Sequence, residues 1–423
     1  MAATTDITQA LRYTYFPGTR ILRLANEESP TFRLLSRKKA PMGGRGQFLL
    51  PISTQNAGAW TGAAQNGTWP TALDPATTEA SFSLQEFLGV YKVTMKLLQD
   101  ARNDKFAFQQ VIKFMDEGFK ARFMKMLNAD LISNGLGKLA ILPAADDETT
   151  VTVEAVPSCE KGQVVDVMDD TDNNAKLEDS ATVSAVDPTA LTVTLSGAPA
   201  GTAAGDYIVI QDTVATAYSY HTNGLIGIID DADPPAPVGD YGGIDRTTAG
   251  TEYWESYVLS NGGTNRSFTE DLGLQAADGM RERANAQAKV YLSNLKIGRR
   301  YHEILRAESY YALGSNPSVL SGGLGRPGGK PPEDGKSPYK FSDMAWHFDP
   351  YFEANTIVIL DPEHFFIGYG ENELPMPVSK LFDTGGLFTE TTTSALDVRW
   401  YYQAELLSDN PGAGAKIEDV AEA

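Results

Sequence analysis

Apolar positions recur most regularly between residues 98 and 134, where Phe108, Val111, Ile112, Met115, Phe119, Phe123, Met126, Leu127 and Leu131 fall at steps of three and four. That period is the signature of an amphipathic helix packing one stripe into a core. Asp100 and Asn103 are candidate N-caps and Gly135 a stop. At 1.5 Å per residue the rod would be about 50 Å long. Upstream, QFLLPIS (47–53) and ASFSLQEFLGVYKVTM (80–95) read as strands, the second with Phe82 and Leu84 alternating with serines. Between them lies QNAGAWTGAAQNGTWP (55–70), which has neither period, yet holds two tryptophans and the turn pair Asn66-Gly67. The simplest geometry is a long two-stranded excursion, with about 17 residues per arm and a reach of some 50–60 Å. A ribbon of that length is marginal alone and needs a surface to lie on.

Further along, VTVEAV, ATVSAV, LTVTLSG and DYIVIQ are short Val- and Thr-rich runs separated by Gly, Asp and Pro. They predict a small all-β insertion over 141–221. A helix is expected over 268–288, with Phe268, Leu272, Leu274, Ala277 and Met280 on one side. VYLSNL (290–295) and NTIVILD (355–361) read as buried strands, and DVRWYYQAELLS (397–408) as a long final strand with alternating Val398, Trp400, Tyr402 and Ala404. NPSVLSGGLGRPGGKPPEDGKSPY (316–339) has the composition of a loop. Residues 1–45 read as an arm, since their short apolar patches are broken by Pro17, Gly18, Pro30 and Pro41.

Composition and charge narrow the function. A chain of 423 residues, 42% of them hydrophobic, is a folded protein with more than one core. No apolar run approaches the roughly 20 residues of a membrane span, and MAATTDITQALRYTYF lacks the order of a secretory signal, so synthesis in the cytosol is expected. The net charge of −20 is concentrated, because residues 140–245 hold 19 Asp/Glu against Lys161 and Lys176. An acidic surface repels nucleic acid. The first 50 residues lean the other way, with eight Arg and Lys against three acids, and Arg37, Lys38 and Lys39 are candidates to face phosphates. Pairing with acidic neighbours is the commoner fate of such an arm.

Catalytic chemistry is not announced. The tryptophan-bearing stretch has no group that titrates or attacks. SGGLGRPGGKPP (321–332) fails as a phosphate loop, with Leu324 where glycine is needed and Pro331 where Ser or Thr would hold magnesium. DDTDNNAKLEDSA (169–181) opens like a calcium loop at Asp170, Asp172 and Asn174, but Ala175 and Ala181 replace its glycine and glutamate. His221, His302, His347 and His364 are scattered, so no helical zinc pair exists. His364, beside Asp361 and Glu363, is the one candidate general base, with a structural role the ordinary alternative. Cys159 is the sole cysteine, in an acidic setting expected to raise its pKa. The reading is a non-enzyme without cofactor or metal.

The succession of parts, with GQFLLPI (46–52) entering the hairpin and FLGVYKVTMKLLQDARND (87–104) leaving it, resembles the major capsid protein of tailed bacteriophages, the Hong Kong 97-type fold. GLIGIIDD (224–231), SFTEDLGLQAADGM (267–280), NTIVILDPEHFF (355–366) and RWYYQAELLSDNPGAGAKI (399–417) add to the resemblance, which spans nearly all of the chain outside the β insertion. It implies an α+β fold with an N-terminal arm (1–45), an extended β-hairpin loop (46–97), a peripheral domain with a long spine helix (98–140), the acidic all-β insertion (141–221), an axial domain (222–381) and a return to the peripheral domain (382–423).

On that reading the chain self-assembles into hexamers and pentamers of an icosahedral head enclosing double-stranded DNA, in the virion after assembly in the host cytoplasm. A portal, a decoration protein and non-specifically packaged DNA are the implied partners, with no membrane. About 45 residues precede the hairpin, so a separate scaffolding protein is expected. Trp60, Trp69, Phe48 and Leu50 become candidate intersubunit contacts, because aromatic rings bury much area at low entropy cost. Some relatives crosslink through a lysine on the hairpin; none occurs here between Lys39 and Lys92, so cohesion is expected from burial and multivalent contact. Two other readings stay open: an encapsulin-like compartment of the same fold, and a cytosolic enzyme or carbohydrate-binding protein with a β module.

Overall fold

The computed structural model of the chain describes residues 30–39, 47–55, 74, 76–94, 105–156, 158–171, 175–211, 221–235, 238–301, 339–341, 344–370, 376–377, 388–389 and 395–421. Among the described residues the strands fall into four sheets. In the first, helix α1 (Pro30–Leu34) leads into β1 (Ser36–Lys39), which runs parallel to β16 (Phe365–Tyr369). β16 is antiparallel to β19 (Ala395–Ser408), and β4 (Gln85–Thr94) lies along the opposite edge of β19, from Ala395↔Thr94 to Ala404↔Gln85. Short β17 (Met376–Pro377) and β18 (Phe388–Thr389) complete this sheet.

Helix α2 (Lys105–Ile132) lies across one face of that sheet, inside the span predicted from periodicity. Phe119 meets Trp400 and Tyr91, each at 5.5 Å between ring centroids, and Phe123 meets Phe87 edge-on at 6.4 Å. Gly89 sits beneath Phe119, where a Cβ would overlap the ring. The alternation of β4 therefore turns Phe87, Gly89 and Tyr91 to the helix and leaves Leu88 and Val90 exposed on the other face.

β2 (Gln47–Gln55) and β3 (Ala76–Ser83) form the hairpin, in register from Gln47↔Ser83 to Ser53↔Thr77, with a shift before Gln55↔Ala76. The strand predicted over 80–95 is thus two, because the chain changes partner at Leu84, from β2 to β19. Periodicity reports a buried face and says nothing of which strand lies alongside.

The insertion is a six-stranded sheet of its own: β5 (Ala140–Ile141), β6 (Thr150–Thr152), β7 (Val164–Met168), β8 (Lys176–Asp187), β9 (Thr192–Leu195) and β10 (Tyr207–Ile210), in the order β5-β10-β7-β8-β9-β6. Val151, Val165, Val167, Val183, Val193 and Ile208 fill its core, which Ala129 of α2 joins.

After helix α3 (Leu225–Ile228), the fourth sheet runs β11 (Tyr257–Leu259), β20 (Gly414–Ile417), β15 (Ile357–Leu360), β12 (Val290–Ser293), β14 (Met344–Phe348), β13 (Tyr339–Phe341). All four residues of β12 and of β15 are buried, which is why both read as unbroken apolar runs. Helix α4 (Glu270–Ala284) covers β11 and β20; Thr269 caps it through a bond from Leu272 N–H, and Asn285 closes it at φ 51°.

The units expected as successive segments are interleaved. β16, from the span 222–381, belongs to the first sheet, and β20, from the returning segment, belongs to the fourth. The arm is likewise no free appendage over residues 30–39: Phe32 and Leu35 are in the main core, and Thr31 donates from its N–H and Oγ1 to buried Asp349 Oδ2 at 3.4 and 2.8 Å. Among the described residues no helix is long and apolar enough to cross a membrane.

Candidate interaction surfaces

The root of the hairpin is seated in its own chain. Phe82 packs on Tyr241 (4.9 Å between centroids), and Phe48 on Phe366 (5.7 Å). The tight turn Tyr241–Gly243 makes room for this, since a Cβ on Gly242 would lie 2.8 Å from Phe82 Cζ and 3.0 Å from Ala80 Cβ. Phe48, expected between subunits, is therefore buried inside its own; Leu50 is partly buried against the same core. Their neighbour Leu49, pointing the other way, is 53% exposed, and its cross-strand partner Ser81 is exposed too. Trp60 and Trp69 lie outside the described residues.

A second apolar surface is the face of the first sheet turned away from α2, where Leu88 is 74% exposed. Tyr401 Oη and Gln403 Nε2 donate to Glu86 at 2.9 and 3.0 Å on the same face, giving the patch a polar rim.

The basic cluster Arg37, Lys38, Lys39 occupies edge strand β1. The guanidinium of Arg37 stacks on Phe32 at 4.4 Å, and the ammonium of Lys38 lies 3.7 Å above the Phe366 ring. Two of the three cations thus rest on aromatic faces of their own chain, a contact worth about 0.5–1 kcal/mol at exposed sites. Lys39 is exposed at the strand end.

The residues singled out for chemistry fall apart. His364 Nδ1 is 2.8 Å from Asp409 Oδ1, while Asp361 and Glu363 are both held by Lys289, at 2.9 and 2.7 Å. His347 is half-buried and its pKa is lowered by desolvation; His221 lies 2.7 Å from Asp130. Cys159 is buried, and burial alone pushes its thiol up to about 12; the cause is desolvation rather than the expected negative charge. Asp170 pairs with Lys138 at 3.3 Å, and residues 172–174 of the calcium-like stretch lie outside the described residues, as do His302 and 302–338, which include the phosphate-loop lookalike. Among the described residues no three His, Cys, Asp or Glu side chains are grouped to hold a metal ion. Several acids of the insertion hold its loops and turns instead. Asp147 accepts from Thr202 N–H and Oγ1 (2.8 Å each), and Asp187 from Thr189 and Ala190 N–H, which lowers both pKa values.

Sequence reading missed the polar junction where α2, the entry to α3 and β19 meet. Buried Asp130 accepts from Thr222 N–H at 2.9 Å. Buried Glu405 Oε1 accepts from Asn223 N–H (2.8 Å), Asn223 Nδ2 (3.0 Å) and Leu406 N–H (3.2 Å). One signal was available, since Glu405 is the only acid between Val398 and Leu407. Burial, with the charge of Asp130 adding to it, raises the Glu405 pKa well above the usual range.

The folded state then holds this proton to higher pH than the unfolded chain does. Its contribution is fully present below the unfolded carboxyl range and is lost as pH climbs toward the folded value. Glu405→Gln, which cannot ionise and still accepts from Asn223, is expected to gain on the parent as pH rises from 5 to 8, by up to about 1.4 kcal/mol per pH unit. Urea midpoints at both pH values check this, and parallel pH curves for the two proteins would refute it.

Neither a protein-family model nor a curated protein matches this sequence. Solved structures do. A chain from the capsid asymmetric unit of cyanophage A-1(L) aligns at TM-score 0.54 and 13% identity, covering 99% of this chain and 99% of that one. A chain from the capsid of a native GTA particle aligns at TM-score 0.50 and 9% identity, over 96% of this chain and 94% of that one. An encapsulin from Synechococcus elongatus aligns over 99% of this chain and 96% of that one at 9% identity, but at TM-score 0.41, too loosely to argue from. Matched end to end by these capsid chains, the chain has the α+β Hong Kong 97-type capsid fold.

Proposed function

We propose that this chain is the structural major capsid protein of a tailed bacteriophage, self-assembling into the hexamers and pentamers of an icosahedral head around double-stranded DNA. The observation that carries the reading is the end-to-end match to a capsid subunit, 99% of both chains, with the hairpin included. The hairpin supports it too: rooted by Phe48 and Phe82, it keeps the apolar side chain of Leu49 exposed, where another copy can cover it. The virion is its place of action. A separate scaffolding protein, a portal and a decoration protein on the acidic insertion belong to the same proposal, as does the contact of Lys39 with packaged DNA.

Electron microscopy of the purified chain tests this. Closed shells or capsomer rings are expected; dispersed monomers with turnover would point to the enzyme reading, and native shells loaded with protein rather than nucleic acid to the compartment reading. Trp60→Ala with Trp69→Ala should keep the monomer's circular dichroism while raising the concentration needed for assembly by roughly 30-fold per tryptophan, the equivalent of an anchor worth about 2 kcal/mol. A double variant that loses its secondary structure as a monomer would place the rings in the intrachain core.

A further inference from the structure

Asparagine followed by glycine is a reactive pair, because no side chain shields the nitrogen that follows the amide. The sequence holds Asn66-Gly67, outside the described residues, and Asn134-Gly135, Asn223-Gly224 and Asn261-Gly262 within them. The fold treats the three described pairs differently. Asn223 is fastened to buried Glu405 through its N–H and its Nδ2, at 2.8 and 3.0 Å, and Gly224 is wedged against the Ser133 carbonyl. Gly135 is buried just past the end of α2, and its N–H donates to buried Ser133 Oγ at 3.3 Å. Residues 260–264, by contrast, are all exposed.

That exposed segment is a tight turn. Gly262 and Gly263 have φ 66° and 79°, nothing lies within 4 Å of a Cβ at either, and Thr264 N–H donates to Asn261 O at 3.4 Å. Asn261 Nδ2 donates to Thr264 O at 2.6 Å, so the side-chain amide is drawn forward along the backbone that follows it. Gly262 N–H rests on Ser260 Oγ at 3.2 Å, the long end of the hydrogen-bond range.

The turn fastens another part of the chain. Asp419 Oδ2 accepts from Asn261 N–H (2.7 Å), Gly263 N–H (3.1 Å) and Ser260 Oγ (3.1 Å). Beside it, Asp419 O accepts from Arg266 N–H and Arg266 O from Ala421 N–H, both at 2.7 Å. Val420 between them is buried in the core that Met280 of α4 shares. The segment after β20 is thus clasped by residues 260–266.

We propose that Asn261-Gly262 is a site of spontaneous backbone modification, and that its product loosens this clasp. The Gly262 nitrogen attacks Asn261 Cγ. The new N–C bond closes a five-membered imide, the Cγ–Nδ2 bond breaks, and ammonia leaves with the proton that Gly262 gives up. Water then opens the imide at either carbonyl, leaving an α-linked or a β-linked aspartate. The sum is asparagine plus water giving aspartate plus ammonia, with no change of oxidation state. Either product sets a negative charge beside Asp419. The β-linked one also adds a carbon to the main chain between the two N–H groups that share Asp419 Oδ2. This inference needs no neighbouring copy and stands apart from the shell reading.

The test incubates the full chain at mildly alkaline pH, folded or in urea, and follows tryptic peptides by mass. In the folded protein the peptide 247–266 should gain the mass shift of an amide turned acid, while the peptides holding Asn134 and Asn223 stay amides; in urea all three should convert alike. The amides of Val420 and Ala421 should then exchange with heavy water about tenfold faster than before incubation, as for the loss of one bond to a charged group. Asn261→Gln, which keeps an amide but would have to close a slower six-membered ring, should stay unconverted and keep its exchange rates.

A peptide 247–266 that converts in urea but not in the fold overturns the proposal, because the turn then protects the pair. Equal conversion at Asn134 and Asn223 in the folded protein overturns it too, since the fold then makes no distinction. Conversion without faster exchange at Val420 and Ala421, or the same acceleration in incubated Asn261→Gln, would deny the clasp. Should Asn261→Gln fail to fold, Gly262→Ala takes its place, its methyl shielding the nitrogen and entering open space, with the same two readouts.

Discussion

Arg246→Met is expected to cost the subunit about 3–5 kcal/mol of folding stability, on the scale of breaking a buried charged network. The side chain is 2% exposed, deep in the loop that follows α3. Nη1 donates to the carbonyls of Gly227 (3.2 Å), Asp230 (3.3 Å) and Ala232 (2.9 Å), and Nη2 to that of Ile228 (2.8 Å). Asp230 O also accepts from Ser256 N–H at 2.9 Å, but the carbonyls of Gly227, Ile228 and Ala232, at the end of a four-residue helix and in the bend after it, have no backbone donor among the described residues. Methionine fills the space and leaves those acceptors without a donor. Arg246→Lys should recover only part of the loss, since one ammonium cannot span the fork. Burial pulls the Arg246 pKa down, opposed by the charges around it, Asp230, Asp233 and Glu255 among them.

The damage should reach the hairpin. The guanidinium lies 5.3 Å from the Tyr241 ring, which stacks on Trp254 at 5.7 Å and accepts from Ser408 N–H at 2.8 Å through its hydroxyl. Tyr241 is also the seat of Phe82. Urea unfolding gives the stability; a loss under about 1 kcal/mol would show that water replaces the guanidinium without penalty.

Gly224→Ala is the second large effect, expected to exceed about 3 kcal/mol. Gly224 has φ 61° and ψ 150°, a conformation that side chains avoid, and a Cβ there would run into the backbone carbonyl of Ser133 at the end of α2. Backbone cannot step aside as a side chain can. Gly239→Ala is the control: φ is 69°, but nothing lies within 4 Å of its Cβ, so only the conformational cost of about 1–2 kcal/mol should appear. Equal losses at the two positions would deny the close approach. Gly227, whose Cβ would lie 2.8 Å from Asn134 O, marks the same junction, which gives GLIG its physical meaning.

How much of this was legible depends on what kind of force placed each residue. The helix α2, the buried runs of β12 and β15, the long β19 and the six-stranded sheet of the insertion all follow from local period and composition, and all are present among the described residues. Partner choice is not local. Nothing near Ser36–Lys39 announces a parallel pairing with Phe366–Tyr369, nor does Thr31 announce Asp349, 318 positions away. At the hairpin root the alternation was visible but its sense was not. Phe48 and Leu49 are equally apolar in sequence, and the register that pairs Phe48 with Phe82 sends one to the core and the other to the surface. Arg246 and Glu405 were hidden because buried charges follow the geometry of stray carbonyls and amides, which has no period.

The first and last strands of the insertion, β5 and β10, are neighbours, with Ile141 opposite Tyr207. The chain consequently leaves α2 and comes back at nearly the same point, so the module adds no length to the path of its host. Such an arrangement behaves as a cassette. Evolution can exchange it, and a protein engineer can graft a foreign domain with adjacent termini onto the turn after Asp187, without re-routing any strand of the sheets beneath.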